Sequence, residues 1–110
     1  MTTTAAPGLA GYQRQHLKGL AHDLKPVVQV GRAGVTDEVV AAVGQALLDH
    51  ELIKVRLYDP EDKRKTAASL AARADAVLCG VVGHTVILYR RHPKAPKIKV
   101  PTRKAPGAAG

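Results

Sequence analysis

The fold is decided by the stretch PVVQVGRAGVTDEVVAAV, residues 26–43, in which a short β-branched run meets a loop bounded by glycines and then a helix. The residue before Pro26 avoids the helical region, so a preceding helix ends there and Val27–Val30 is predicted to be a strand. Gly31–Gly34 follows as a tight loop. Thr36 can cap the next helix, whose first turn carries two acidic residues that suit the helix dipole. This stretch therefore predicts a strand, a turn and a helix in succession.

A helix precedes this stretch and a strand follows it. Apolar residues before it recur at i, i+3, i+4 and i+7, which predicts a helix from about Gln13 to Asp23 with the stripe Leu17, Leu20, Ala21 and Leu24. The stripe of the second helix is Val39, Val43, Ala46 and Leu47. After Glu51 the period changes to two, which predicts a strand with one buried face and one basic face. The buried face is Ile53, Val55 and Leu57, and the other face is Lys54, Arg56 and Tyr58.

A third helix and a hairpin complete the chain. Asp59-Pro60 has the form of an N-cap followed by proline at the first helical position, and the helix stripe is Ala67, Leu70, Ala71 and Ala74. Residues 76–82 and 85–89 are two β-rich runs joined by Gly83-His84, a pair suited to a two-residue turn. The order αβαβαββ predicts an α/β fold, a single compact domain with one mixed four-stranded sheet packed with three helices.

The charge balance indicates a polyanionic partner. The 110 residues hold 17 Lys+Arg against 9 Asp+Glu, a net charge of +8, and nucleic acid is the commonest polyanion that proteins bind. Five of the eight excess charges fall in residues 92–110, which contain four prolines and no acid, so the rest of the chain carries +3. Residues 1–10 and 92–110 are expected to be flexible tails around a domain over residues 11–91. With three Tyr and no Phe or Trp, contacts to the nucleic-acid backbone are favoured over base stacking.

Several classes of protein are disfavoured. A single cysteine, Cys79, excludes a disulfide framework or a Cys-rich zinc site within one chain and indicates a reducing compartment. The longest apolar run is far shorter than a membrane span, so we expect a soluble cytoplasmic protein without a membrane partner. The five histidines lack metal spacing, and Ser69 lacks a nucleophile elbow. We therefore predict no catalytic residues, no metal and no cofactor.

The loop Gly31-Arg32-Ala33-Gly34 is the most informative local feature. Two glycines permit close approach of another backbone, Arg32 can pair with a phosphate, and N–H groups at the following helix N-terminus can face an anion. A GxxG loop alone is a weak signal, because a plain turn from strand to helix accounts for it more often. The basic strand and the basic chain favour a nucleic-acid contact here.

Residues 15–101 resemble the CRM domain, the chloroplast RNA splicing and ribosome maturation domain, and in particular its stand-alone bacterial YhbY-type members. The matching segments, in order, are QHLKGLAHDLKPVVQVG (15–31), the GxxG loop (31–34), HELIKV (50–55), VGHTVILYR (82–90) and KIKVP (97–101). The resemblance implies a fold similar to the C-terminal domain of translation initiation factor three. It also implies an RNA-binding protein without catalytic activity that associates with precursors of the large ribosomal subunit and assists their maturation. Apart from the resemblance, we expect a monomer.

In that family the GxxG loop meets the RNA backbone, which by position assigns the loop glycines to Gly31 and Gly34 and the tip to Arg32 and Ala33. The family often has a polar residue such as Asn where Ala33 stands, so this loop can lack one side-chain hydrogen bond. Basic residues that we expect to extend the RNA footprint are Lys18, Lys25, Lys54, Arg56, Arg90 and Arg91.

Two partners are compatible with the sequence. The first is a ribosomal RNA precursor within a pre-ribosomal particle, bound mainly through phosphates. The alternative is a protein-interaction module that docks on ribosomal proteins or assembly factors, with the basic tail supplying nonspecific RNA affinity.

Overall fold

Three helices and four strands form in the predicted order αβαβαββ. The structure is a computed structural model and describes residues 9–58 and 62–98. The elements are α1 (Gly11–Ala21), β1 (Pro26–Val30), α2 (Asp37–His50), β2 (Leu52–Leu57), α3 (Lys63–Arg73), β3 (Val77–Val82) and β4 (Thr85–Tyr89). The α/β class and the element order are confirmed, and α1 begins and ends two residues earlier than its apolar spacing predicted. No helix in the described ranges is long and apolar enough to cross a membrane.

The four strands make one mixed sheet in the order β1-β2-β4-β3. β1 and β2 are parallel, while β4 is antiparallel to both of its neighbours. The carboxyl ends of β1 and β2 therefore meet at the edge where the β3–β4 turn also lies. The Tyr58 N–H donates to the Val30 carbonyl at 2.9 Å, and the Leu57 N–H donates to the His84 carbonyl at 2.7 Å. We name this edge, which carries the GxxG loop, Tyr58 and the hairpin turn, the loop end of the sheet.

The sheet is covered on both faces, and the period of two along β2 decides which residues lie where. The odd-numbered residues of β2 pack against α2 and α3, whereas Leu52 packs with α1. The larger cluster is built around Val43, Leu47, Ile53, Val55, Leu57, Leu70, Val86 and Leu88. The smaller cluster, on the α1 side, is Leu17, Ala21, Leu52, Cys79, Ile87 and Tyr89. The stripes predicted for α2 and α3 are confirmed as core.

The stripe predicted for the first helix is only half buried. Leu17 and Ala21 are fully buried, but Leu20 is 46% exposed and Leu24, which lies beyond the end of α1, is 40% exposed. Both leucines line an apolar groove of about 480 Å³ together with Val27. The helical spacing therefore predicted the burial of Leu17 and Ala21 correctly, but the sheet does not cover Leu20 and Leu24.

The turns and caps that the structure describes follow the predicted chemistry. Gly83 has a φ of +60°, as a hairpin turn with glycine first requires, and Thr36 caps α2 by accepting a hydrogen bond from the Val39 N–H at 3.2 Å. The cap expected at Asp59-Pro60 lies outside the described residues. As described, α3 begins at Lys63, and the Asp62 carboxylate caps it by accepting from the Lys65 N–H at 3.1 Å.

A buried carboxylate holds the segment after β4 against the domain. Glu51, at the end of α2, is 1% exposed and has a φ of +65°. Its Oε2 accepts a hydrogen bond from the His92 N–H at 2.9 Å, and its Oε1 accepts from the Ile98 N–H at 2.9 Å and from the Lys97 N–H. Burial by itself would raise the pKa of the Glu51 carboxyl, but these backbone donors outweigh it and the pKa lies below its ordinary value.

The segment 92–98, predicted from composition to belong to the C-terminal tail, is thus held to the domain at both of its ends, while residues 93–97 are exposed. Ile98 also contacts the α1-side cluster. One buried acceptor satisfies three backbone donors at once here, an arrangement that composition does not reveal. Residues 99–110 and 1–8 of the expected tails lie outside the described residues, while Leu9 packs against the α1-side cluster.

Glu51→Gln is expected to lower the free energy of unfolding by about 1–3 kcal/mol, the cost of leaving a buried polar group without its partner. The amide has one acceptor oxygen in place of two and turns an NH₂ group toward a backbone N–H. Urea unfolding at pH 7 measures the loss. Asp49→Asn, which changes an exposed carboxylate two residues away, is the control and should stay within about 0.5 kcal/mol of the wild type.

The difference in unfolding free energy between wild type and Glu51→Gln should depend on pH. Because the folded-state pKa of Glu51 is lowered, its contribution is present in full above the carboxyl pKa of the unfolded chain, about 4.3, and is lost as the pH falls through the lower folded-state value. The stability difference between wild type and Glu51→Gln should therefore shrink as the pH falls from 7 toward 3. A difference that does not change with pH would contradict a charged acceptor at this site.

Candidate nucleic-acid interface

The GxxG loop is a closed four-residue turn at the loop end. The Gly34 N–H donates to the Gly31 carbonyl at 3.0 Å, which leaves Arg32 and Ala33 exposed at the tip. Gly34 has a φ of +79°, a conformation that strains any residue with a side chain. The space where a Cβ would stand on either glycine is open to 4 Å. Another chain's backbone can therefore approach both glycines closely.

The base of the loop is held by α2 and α3. Arg73, the last residue of α3, donates to the Val35 carbonyl and to the Asp37 carboxylate, each at 2.5 Å. Asp37 and Glu38 are exposed in the first turn of α2, where they compensate the helix dipole. Two carboxylates at this position repel an anion. Thr36 already accepts a hydrogen bond from one of the N–H groups that an anion would need. The tip and the sheet side of the loop are consequently better placed for a phosphate than the N-terminus of α2.

Tyr58 lies beside the loop, and sequence reasoning gave it no role in binding. The Arg32 guanidinium carbon lies 5.6 Å from the centre of the Tyr58 ring, within cation–π range. The backbone bond to Val30 holds Tyr58 next to Gly31, and the residue is 48% exposed. The signal in the sequence was the alternation that put Tyr58 on the basic side of β2, combined with the parallel pairing of β1 and β2.

Three of the predicted basic residues come together on the α1 side of the sheet. Lys18 and Lys54 line a cavity of about 170 Å³ with His22. The Lys18 stem packs over Gly80, where an added Cβ would stand 3.2 Å from its Cδ. Arg56, exposed and two residues beyond Lys54 on β2, extends the same face toward the loop end. We name these four residues, Lys18, His22, Lys54 and Arg56, the α1-side basic patch.

The Lys54 side chain also makes a hydrogen bond to the end of the α1 region. Its Nζ donates to the His22 carbonyl at 3.0 Å, so it satisfies one of the last carbonyls of the α1 region and complements the negative end of that helix. The bond orients the ammonium group over the cavity and leaves it further hydrogen-bonding capacity, since a lysine carries three donors.

The other predicted basic residues lie at the opposite end of the sheet. Lys25 precedes β1, so the length of that strand, about 16 Å, separates it from the loop. Arg90 donates to the Ala74 carbonyl at 2.8 Å and to the Gly44 carbonyl at 3.0 Å, which ties α2 to the end of α3. Arg91 is exposed next to it. The structure therefore spreads the predicted set along the sheet: Arg56 lies nearest the loop end, Lys54 pairs in register with Pro26 next to Lys25, and Arg90 and Arg91 lie at the far end.

The remaining titratable groups show no second site. Within residues 9–58 and 62–98, no three His, Cys, Asp or Glu side chains come together in a way that could hold a metal ion. Burial raises the pKa of the Cys79 thiol to about 11, against a smaller opposing effect of Arg14, so the thiol is protonated at neutral pH.

Comparison with known proteins agrees with this fold. Residues 9–90 match the model of the CRS1/YhbY (CRM) domain. The chain is 40% identical over 97 residues to a Haemophilus influenzae protein named "RNA-binding protein", with 86% of this chain and 97% of that protein covered. It is 35% identical over 95 residues to the Bacillus subtilis protein named "Probable RNA-binding protein YqeI", covering 84% of this chain and 99% of the relative.

A solved structure gives the same result for the fold. The solution structure of a hypothetical protein from Staphylococcus aureus superposes with a TM-score of 0.75 at 29% identity, over 84% of this chain and 99% of that one. On the family match over residues 9–90 and the 40% identity to a relative of nearly equal length, this chain belongs to the CRS1/YhbY (CRM) domain family.

Proposed function

We propose that the protein binds RNA through its loop end and α1-side basic patch, and that its RNA is a precursor of the large ribosomal subunit whose assembly it assists within a pre-ribosomal particle. The observation that carries the proposal is the open GxxG turn with Arg32 at its tip, beside a face that also carries Arg56, Lys54 and Lys18. Relatives named as RNA-binding proteins support the class of ligand.

The geometry favours contact with the RNA backbone. Gly31 and Gly34 leave room for a sugar-phosphate chain to approach the loop, and the Arg32 guanidinium is able to pair with a phosphate through two hydrogen bonds. Phosphate contacts position a nucleic acid without reading its sequence. The proposal therefore assigns affinity to a few well-placed cations and gives the protein a binding role with no chemical step.

A double charge reversal tests the loop. Changing both Arg32 and Ala33 to Asp places two carboxylates at the tip and is expected to weaken RNA binding at least tenfold, because each repels the phosphate the tip would hold. Both residues are exposed, so the thermal unfolding midpoint should move little. A fluorescence anisotropy titration at fixed salt measures the dissociation constant. Affinity within twofold of the wild type would remove the loop from the interface.

The matched control changes Lys94 and Ala95 to Asp. Like the loop tip, this pair is one basic residue followed by an alanine, so the change in net charge is identical, and both residues are exposed. It should weaken binding much less than the loop variant if the position of the charge matters. An equal loss from both variants would instead support the alternative function, in which RNA affinity is a nonspecific property of net charge and of the tail.

One observation favours that alternative, a module that docks on another protein. Leu20, Leu24 and Val27 are 40–50% exposed around the 480 Å³ groove, and exposed apolar surface of this kind is typical of contact sites. Truncation after Ile98 separates the two functions, since it removes Lys99, Arg103 and Lys104 but keeps every partner of Glu51. RNA binding by the truncated protein supports the proposal, and its complete loss supports the alternative.

A second pair of variants locates the footprint. Arg56→Ala and Arg91→Ala each remove one exposed arginine, the first near the loop end and the second at the far end of the sheet. For the proposed interface, Arg56→Ala should reduce the slope of log affinity against log salt by about 0.7–0.9, the equivalent of one phosphate contact, and Arg91→Ala should leave it unchanged. Equal reductions would extend the footprint to the far end, as the sequence analysis expected.

The identity of the RNA is tested in cells. Ultraviolet crosslinking followed by sequencing of the attached RNA should recover mainly large-subunit ribosomal RNA, with crosslinks concentrated on precursor forms. The Arg32, Ala33 double variant, expressed at the same level, should lose most of these crosslinks. Crosslinks concentrated on messenger or transfer RNA would contradict the ribosomal part of the proposal while leaving RNA binding itself intact.

A further inference from the structure

Tyr58 is placed as a surface ring at the one edge of the sheet where RNA is proposed to bind. Of the three tyrosines in the sequence, Tyr89 is 5% exposed and Tyr12 is partly buried in α1, whereas Tyr58 is 48% exposed. Nothing in its backbone bonding to Val30 requires an aromatic side chain, because any residue supplies that N–H. The exposed ring is therefore unexplained by the fold.

The Arg32 side chain, at the loop tip, also reaches the Tyr58 ring. Arg32 lies over the Tyr58 ring at 5.6 Å, and the same guanidinium is the group that would pair with a phosphate at the loop. The alternation of β2, continued by one step, puts Tyr58 on the side of Arg56 and Lys54, and its backbone bond to Val30 holds it next to the loop. A nucleotide whose phosphate paired with Arg32 would have its base near this ring.

We propose that Tyr58 stacks on an unpaired RNA base next to the phosphate held by the GxxG loop, and that Arg32 leaves the ring for that phosphate when RNA binds. This inference rests on the proposed function and narrows its ligand to RNA with a single-stranded nucleotide at the loop. Stacking on an aromatic ring is stronger than an exposed cation–π contact, so the exchange of Arg32 for a base favours the complex.

A stacking ring at Tyr58 should favour single-stranded RNA over duplex RNA. Every base offers a π face, so a single stacking ring tolerates all four bases while it discriminates against duplexes, whose bases are already stacked on each other. Contacts from Arg32 and the basic patch remain available to both kinds of RNA, because phosphates are present in both. Loss of the ring should consequently affect single strands and spare duplexes.

Direct titration of the full chain tests this selectivity. The probe is a single-stranded RNA of about 12 nucleotides carrying one 2-aminopurine, used alone and annealed to its complement. Tyr58→Leu should weaken binding of the single strand about tenfold, within the range of roughly 5- to 150-fold that loss of one stacked base gives, and leave the duplex within twofold. Tyr58→Phe keeps the ring and should bind both probes as the wild type does.

The fluorescence of 2-aminopurine reports stacking independently of affinity. At saturating protein, wild type and Tyr58→Phe should quench a probe with the analogue at the bound position, and Tyr58→Leu should not. Placing the analogue at successive positions along the strand finds the stacked base. A quench retained in full by Tyr58→Leu would overturn the inference, whatever the dissociation constants are.

The outcomes separate this inference from the function it rests on. Wild-type protein that binds neither probe contradicts the proposed function itself. Wild-type binding to both probes with an equal loss in Tyr58→Leu shows that the ring only positions Arg32, which also overturns the stacking proposal. Unfolding midpoints of the three proteins verify that the substitution at this exposed position leaves the fold intact.

Discussion

The parallel pairing of β1 with β2 is the constraint on which the rest of the molecule depends. The bond from the Tyr58 N–H to the Val30 carbonyl fixes where both strands end, and the loop, the ring and the start of α2 all take their positions from that point. A parallel pair requires a crossover helix, and α2 fills that role while burying the inner face of both strands. A register shift of one residue would turn the apolar side of β2 outward and separate Arg32 from Tyr58.

Local rules were sufficient for most of the fold. Period two along β2, the N-cap at Thr36, the proline before β1 and the glycine of the hairpin turn each act over a few residues, and the sequence displays them directly. They failed where a long-range contact decides. Whether Leu20 is covered depends on the width of the sheet, and whether residues 92–98 pack depends on a carboxylate more than forty positions earlier.

The candidate site was predictable in its centre and not at its edges. The loop glycines and Arg32 are adjacent in sequence, so the GxxG pattern, together with the basic residues around it and the family resemblance, made them candidates. Basic residues elsewhere look alike in a sequence, and only the fold shows that Arg90 donates to two helix carbonyls while Arg56 is exposed. Tyr58 was not predicted for a related reason. Its place beside the loop depends on the pairing of β2 with β1, and the sequence alone does not show which strands are neighbours.

The attachment of residues 97 and 98 to Glu51 sets a limit on where one positive charge can act. The N–H groups of Lys97 and Ile98 both donate to the Glu51 carboxylate, and Lys97 is exposed. Because Glu51 directly precedes β2, the backbone of Lys97 is held at the far end of the sheet. The Debye length at physiological salt is about 8 Å, so this charge attracts a polyanion that reaches the far end and hardly affects one at the loop.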